Sequence, residues 1–240
     1  MRTTEYINAK LGKIPLGRIF TLENFANSEV KTASVVKALN RMASAGKISK
    51  LAKGKFYKPE KTVFGNLKPS QDEVIKDLLM RNGKLVGYIT GIQIFNSLGL
   101  TTQLSNVIEI ASNDIRPDFS RERFKVSLIK QKNPIKKSDI HLLQILDAIR
   151  YIKKIPDTNI KNVCIRFKAI FNEFTDDKSK RIIKLSLNYP PATRALVGAI
   201  FEEIGSYELT APLVKSLNPL TSYNLIGAST VLSCAKSWNI

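Results

Sequence analysis

Leu39-Asn40-Arg41-Met42-Ala43-Ser44-Ala45-Gly46-Lys47-Ile48-Ser49-Lys50-Leu51-Ala52-Lys53-Gly54-Lys55-Phe56-Tyr57 decides how the N-terminal quarter of the chain folds, because the hydrophobic period changes at its centre. Up to Gly46 the period is helical. Val35, Val36, Leu39 and Met42 predict the apolar face of a helix running from near Thr32 to Ala45, with Ser34, Lys37, Ala38 and Arg41 on the opposite face. Gly46 supplies the stop. Beyond it the period becomes strand-like, and Lys53-Gly54 lies between two short strand segments, 48–52 and 55–58, as a two-residue turn in which glycine takes the positive φ that hairpins favour. Phe56 and Leu51 are the apolar anchors expected to hold this hairpin to the helices.

Upstream, Tyr6, Ile7, Leu11 and Ile14 recur at helical spacing, which predicts a helix over 4–13 that Pro15 ends. Residues 17–20 read as a small strand, Thr21 as the cap of a brief helix over 22–26, and Asn27-Ser28-Glu29 as a turn. Three helices followed by a basic hairpin is the order of a winged helix-turn-helix, here assigned to residues 1–60. The major groove of duplex DNA admits one helix whose outward face is short, polar or cationic, and Thr32, Ser34, Lys37 and Arg41 meet that description. Residues 47–58 carry five lysines and no acid, of which Lys50, Lys53 and Lys55 are placed to meet phosphates.

The charge distribution supports polyanion contact. The chain has 240 residues and a formal net charge of +18, and this divides as +8 over residues 1–60, 0 over 61–120, +10 over 121–184 and 0 over 185–240. An even solubility coating would not divide in this way. In the second block Arg121, Arg123, Lys125, Lys130, Lys132, Lys136 and Lys137 flank one predicted strand and form a possible second basic surface, contacting DNA, RNA or a protein partner.

Residues 59–69 read as a linker, and 70–240 as a mixed α/β, mainly helical domain, so that the whole chain is α+β. A helix is predicted over 71–80 and another from Ile92 to Gly99. Strands are predicted over 106–112 and 124–130 in one sheet, the second with Lys125, Ser127 and Lys130 expected on one face. From Ser138 onward the period is helical, with runs around 140–151, 163–171, 182–187, 193–204 and 209–217.

The quoted stretch resembles the winged-helix pattern of AbiE-type antitoxins, the DNA-binding members of type IV toxin–antitoxin systems, in a DUF6088-like branch. Gly87-Tyr88-Ile89-Thr90-Gly91-Ile92-Gln93-Ile94-Phe95-Asn96-Ser97-Leu98-Gly99-Leu100-Thr101-Thr102-Gln103 is similar to a second element of that family, and Arg150-Tyr151-Ile152-Lys153-Lys154-Ile155-Pro156-Asp157 to a third. The resemblance covers about residues 3–160. It implies an antitoxin that represses its own operon through double-stranded promoter DNA and counteracts a nucleotidyltransferase toxin without needing to hold it stably.

Other chemistries are poorly supported. Cys164 and Cys234 are too few for a disulfide framework and lack the paired spacing of a zinc site, and His141 has no nucleophile motif beside it. Gly54-Lys55 and Gly83-Lys84 lack the spacing and hydroxyl of a phosphate-binding loop, and Asp176-Asp177 reads as the start of a helix. No catalytic residue, metal or cofactor is therefore expected, and without a membrane-length apolar run or a signal-peptide core the expected location is the cytoplasm. The competing readings are a winged helix that binds protein, and an RNA-binding protein without operator specificity.

Overall fold

A computed structural model describes residues 3–26 and 30–240, so the turn expected at Asn27-Ser28-Glu29 lies outside the described residues. The chain divides into two units, Met1–Asp77 with Ser120–Arg123, and Leu78–Phe119 with Phe124–Ile240.

In the first unit α1 (Thr3–Lys13) is followed by β1 (Ile19–Thr21), a 3₁₀ turn (Leu22–Phe25), α2 (Thr32–Ser44), β2 (Ser49–Ala52) and β3 (Lys55–Tyr57). β1 and β2 both pair antiparallel with β3, giving the order β1-β3-β2. A register irregularity lies between Lys50 and Ala52, and Gly54 closes the hairpin at φ +73°. The apolar residues of these elements converge: Ile7, Phe20, Phe25, Val35, Leu39, Met42, Ile48 and Phe56 are buried together. Phe20 meets Phe25 edge-on at 5.6 Å and stacks with Phe56 at 6.2 Å. Two details depart from the helical-wheel expectation. Ala38 is buried in this core rather than on the outward face, while Val36 and Leu51 are only half-buried. Ala38 precedes Leu39, and the core stripe is wide enough to take in its small methyl group.

Residues 59–69 are not featureless linker. They form a second hairpin, β4 (Glu60–Thr62) with β5 (Gly65–Leu67), exposed throughout. α3 (Gln71–Leu79) follows.

After the short hairpin of β6 (Met80–Arg81) and β7 (Lys84–Leu85), β8 (Gly87–Thr90) leads through Gly91 into α4 (Ile92–Ser97). β9 (Val107–Ser112) is central. It pairs antiparallel with β8 and parallel with the later strand β11, while β10 (Phe119–Arg121) lies where the chain re-enters the first unit. In β11 (Phe124–Lys130) the two-residue strand period sets Lys125 and Ser127 on one face but Lys130 on the other, correcting the expectation that all three share a face. Gly91 adopts φ +73°, and the Glu109 side chain fills the space where a Cβ would stand, its carboxylate accepting from the Ile92 amide at 3.3 Å.

The helices α5 (Ile140–Arg150), α6 (Ile160–Asn172), α7 (Asp176–Ser186), α8 (Pro191–Glu203) and α9 (Ala211–Lys215) complete this unit. α8 is its pillar, with residues 195–201 all buried. Phe171 of α6 meets Phe201 at 4.8 Å, and the C-terminal Trp238 closes over Gly198. Within this apolar core sits a polar cluster. The buried Asp147 carboxylate accepts from Tyr88 Oη at 2.7 Å, Thr90 Oγ1 at 3.0 Å and Tyr189 Oη at 2.8 Å. Gln131 Nε2 donates to both tyrosine oxygens, and its own Oε1 accepts from Asn133. Burial raises the Asp147 pKa to about 6 despite these donors.

Candidate nucleic-acid interface

α2 is bounded by its own sequence. Gly46 takes φ +70°, its amide donates to Ala43 O, and the Lys47 amide donates to Met42 O, which satisfies the last carbonyls in a Schellman arrangement. With its apolar stripe buried, the helix presents Thr32 and Lys37 exposed, Ser34 half-buried and Arg41 exposed. Thr4, Ser34, Lys37, Ala38 and Arg41 line a shallow hollow of about 240 Å³. Arg41 Nη2 donates to Thr4 Oγ1 at 3.3 Å, which steadies the guanidinium at the rim. Thr4 thus joins the candidate face without having been legible there, because only the fold brings α1 beside α2.

The hairpin adds two open cations, Lys50 on β2 and Lys53 at the turn. From Val30 to Pro59 there are eight lysines and arginines and no carboxylate, so nothing within this segment neutralises them. Lys55 is placed differently from the expectation. Its side chain is half-buried and its ammonium pairs with Asp77, so it is less open than Lys50 and Lys53.

Arg121 shares the same carboxylate, donating to Asp77 at 2.5 and 3.0 Å and to Val74 O at 2.7 Å. Burial alone would raise the Asp77 pKa, but Arg121 and Lys55 together hold it below the usual carboxylate range. Arg121 is 6% exposed, so it is an internal strut and not part of a second basic surface. The remaining members of that block divide between the units. Arg123 is exposed in the first, whereas Lys125, Lys130, Lys132, Lys136 and Lys137 are exposed in the second. Lys125 stands 3.7 Å from Asp118, and Lys130 donates to Asn113 O.

The residues weighed for other chemistry fall in ordinary positions. His141 is exposed in the first turn of α5, and Asp176 and Asp177 occupy the first turn of α7, behind Thr175, whose hydroxyl accepts from the Lys178 amide. Cys164 is buried and Cys234 half-buried, both as free thiols. Among the described residues no group of His, Cys, Asp and Glu stands together as a metal site, and no helix is long and apolar enough to cross a membrane.

These features define an α+β protein in which a solvent-facing cationic helix and a basic hairpin share one small core. The chain belongs to DUF6088, a family of unknown function whose model matches residues 6–182. Its fold is similar to that in the crystal structure of the RV2827C protein from Mycobacterium tuberculosis, with a TM-score of 0.52 over 92% of this chain and 84% of that one at 11% identity. No curated protein matches the chain.

Proposed function

We propose that the chain is a DNA-binding antitoxin whose N-terminal winged helix represses its own operon, and which counteracts a nucleotidyltransferase toxin. The observation that carries the DNA-binding reading is the one-sided face of α2 and its hairpin: Thr32, Ser34, Lys37 and Arg41 outward on the helix, Lys50 and Lys53 outward on the hairpin, and no carboxylate between 30 and 59. The strand order β1-β3-β2 supports the winged-helix reading, since it ties the hairpin to the strand that lies between α1 and α2. In this arrangement α2 lies in the major groove and Lys53 reaches the adjacent backbone. Lys55 acts indirectly, fixing the hairpin through Asp77. The antitoxin role rests on the resemblance of the three quoted sequence elements.

Fluorescence anisotropy with labelled promoter duplex from upstream of the gene, against random duplex over a salt series, tests the proposal. Neutralising roughly six phosphates makes log K fall with log salt at a slope near −5. Specific retention of the promoter with that steep slope supports the reading. A shallow slope, or equal affinity for both duplexes, overturns it.

A further inference from the structure

The second unit carries a concave site distinct from the candidate DNA face. The end of β11, the last turn of α5, the α7–α8 junction and the first turn of α8 enclose a cavity of about 530 Å³ whose charged lining is Lys130, Lys132, Arg150 and Arg194, without a carboxylate. A second hollow of about 370 Å³ shares Arg150 and Pro190 with the first and is lined chiefly by apolar surface, including Tyr151, Ile152, Leu196 and Leu225. Lys153 and Lys154 border it, again without a carboxylate. The two hollows form one groove, cationic at one end and apolar at the other, with Arg150 between them.

The walls are held in place. Arg150 Nη1 donates to Lys130 O at 3.3 Å, and its guanidinium lies 5.1 Å from the centre of the Tyr151 ring. Arg194 Nη1 donates to Ser216 O at 2.9 Å, while its buried Nε has no hydrogen-bond partner. Gln131, Asn188 and Tyr189 form the back of the cationic end. Tyr189 is bonded to Asp147, Gln131 to Tyr189, and Asn188 to Asn133, so the wall is tied into the buried polar cluster. Among the described residues none of the four cations makes an ion pair, in contrast to Arg121 and Arg181, whose guanidiniums are each paired with an aspartate. Four cations without ion pairs, lining a concavity that holds no acid, call for an anionic acceptor.

We infer that this groove binds a nucleoside triphosphate, with the phosphates against Lys130, Lys132, Arg150 and Arg194 and the base in the apolar hollow beside Tyr151. The combined shape suits a flat heterocycle joined to a compact polyanion, and both volumes fall in or near the range of about 300–1,000 Å³ typical of small-molecule sites. Neither a free phosphate nor an apolar molecule would use both ends.

Isothermal titration of the full-length protein with ATP, GTP, CTP and UTP, and separately with inorganic triphosphate, tests this. Lys132 is exposed and makes no ion pair, so Lys132→Glu is the phosphate-end variant and is expected to weaken nucleotide binding about tenfold or more by charge reversal. Tyr151→Ala is expected to weaken nucleotides by a larger factor than inorganic triphosphate, which loses only the ring's support of Arg150. Lys53→Glu, in the first unit, should leave nucleotide affinity unchanged while weakening promoter binding, so failure of this inference is distinguishable from failure of the DNA reading. Thermal melting confirms that each variant is folded. Absence of binding by any nucleotide at millimolar concentration, an unaltered affinity in folded Lys132→Glu, or binding of short RNA oligomers without mononucleotides overturns the inference.

Discussion

The six-membered ring of the Trp238 indole lies against the bare Cα of Gly198, so close that a Cβ on that glycine would stand 2.1 Å from the ring. Gly198 is in the buried middle of α8, where glycine costs helix stability on its own account, and the indole Nε1 donates to Glu202 Oε2 at 2.8 Å one turn further on. The glycine is kept because it receives the ring. Gly198→Ala should therefore destabilise the protein by about 1–3 kcal/mol, against the gain that alanine normally brings to a helix. Trp238 is the one tryptophan of the chain, so its emission should shift to the red as the ring is expelled. An unmoved emission maximum and an unmoved urea midpoint would count against this packing.

Asp77 serves two cations at once. Removing its charge in Asp77→Asn withdraws this carboxylate from the buried Arg121 guanidinium and from Lys55, and the half-exposed position of Asp77 limits the expected loss to about 1–3 kcal/mol. Because its native pKa lies below the ordinary aspartate value, its contribution is present above about pH 4 and disappears as pH falls through the native pKa. Denaturant midpoints compared across an acid series below about pH 4 should show the variant deficit shrinking as pH falls.

Asp147 has the opposite sign. Its pKa is raised to about 6 in the native state, so the folded protein holds this proton more tightly than the unfolded chain does. Stability should fall as pH rises from about 4 to about 6, by at most about 3 kcal/mol, and then level off. Asp147→Asn keeps an acceptor for Tyr88 and Thr90 but has no charge to desolvate, and its pH profile should be flat over that interval. A dependence that survives the substitution would assign it to another group.

Within the proposed DNA face the variants should separate into two behaviours. Ser34→Ala and Lys37→Ala are expected to cost roughly 1–3 kcal/mol on promoter DNA and little on random duplex, while Lys50→Glu and Lys53→Glu should weaken both alike and make the salt slope shallower. Arg41→Ala should resemble the first group. Anisotropy titrations on both duplexes read this directly, and equal losses for Lys37→Ala on the two would remove that lysine from base recognition.

The thiols provide a probe of opening. Burial pushes the Cys164 thiol up to about 12, and burial together with Glu202 and Glu203 pushes Cys234 up to about 11. Neither should react with a disulfide reagent at pH 8 until the second unit unfolds, so labelling and loss of helical signal should coincide in denaturant. Rapid labelling of Cys234 in native buffer would show that the C-terminal segment detaches on its own.

What could be read in the amino-acid order was whatever depends on local period and local turns. Gly46 and Gly54 adopt the positive φ expected of them, and the helices around Leu143, Phe167 and Ile200 fall where their apolar spacing places them. Side-chain destinations set by distant partners were not legible. Lys55 and Arg121 look like any other surface cations until α3 brings Asp77 between them, and Lys130, Arg150 and Arg194 meet only through the packing of β11, α5 and α8. The strand at 87–90 was hidden for a related reason: it is too short to show alternation, and its identity comes from pairing with β9.

The route of the chain through the first unit has a practical consequence for anyone who wishes to isolate it. A fragment stopped at Asp77 would carry the whole candidate DNA face but leave behind Ser120–Arg123. Such a piece would lack the guanidinium that caps Val74 O and pairs with Asp77. The first unit is thus a discontinuous module, finished by Arg121, which the ribosome adds only after Leu78–Phe119 of the second unit has been synthesised.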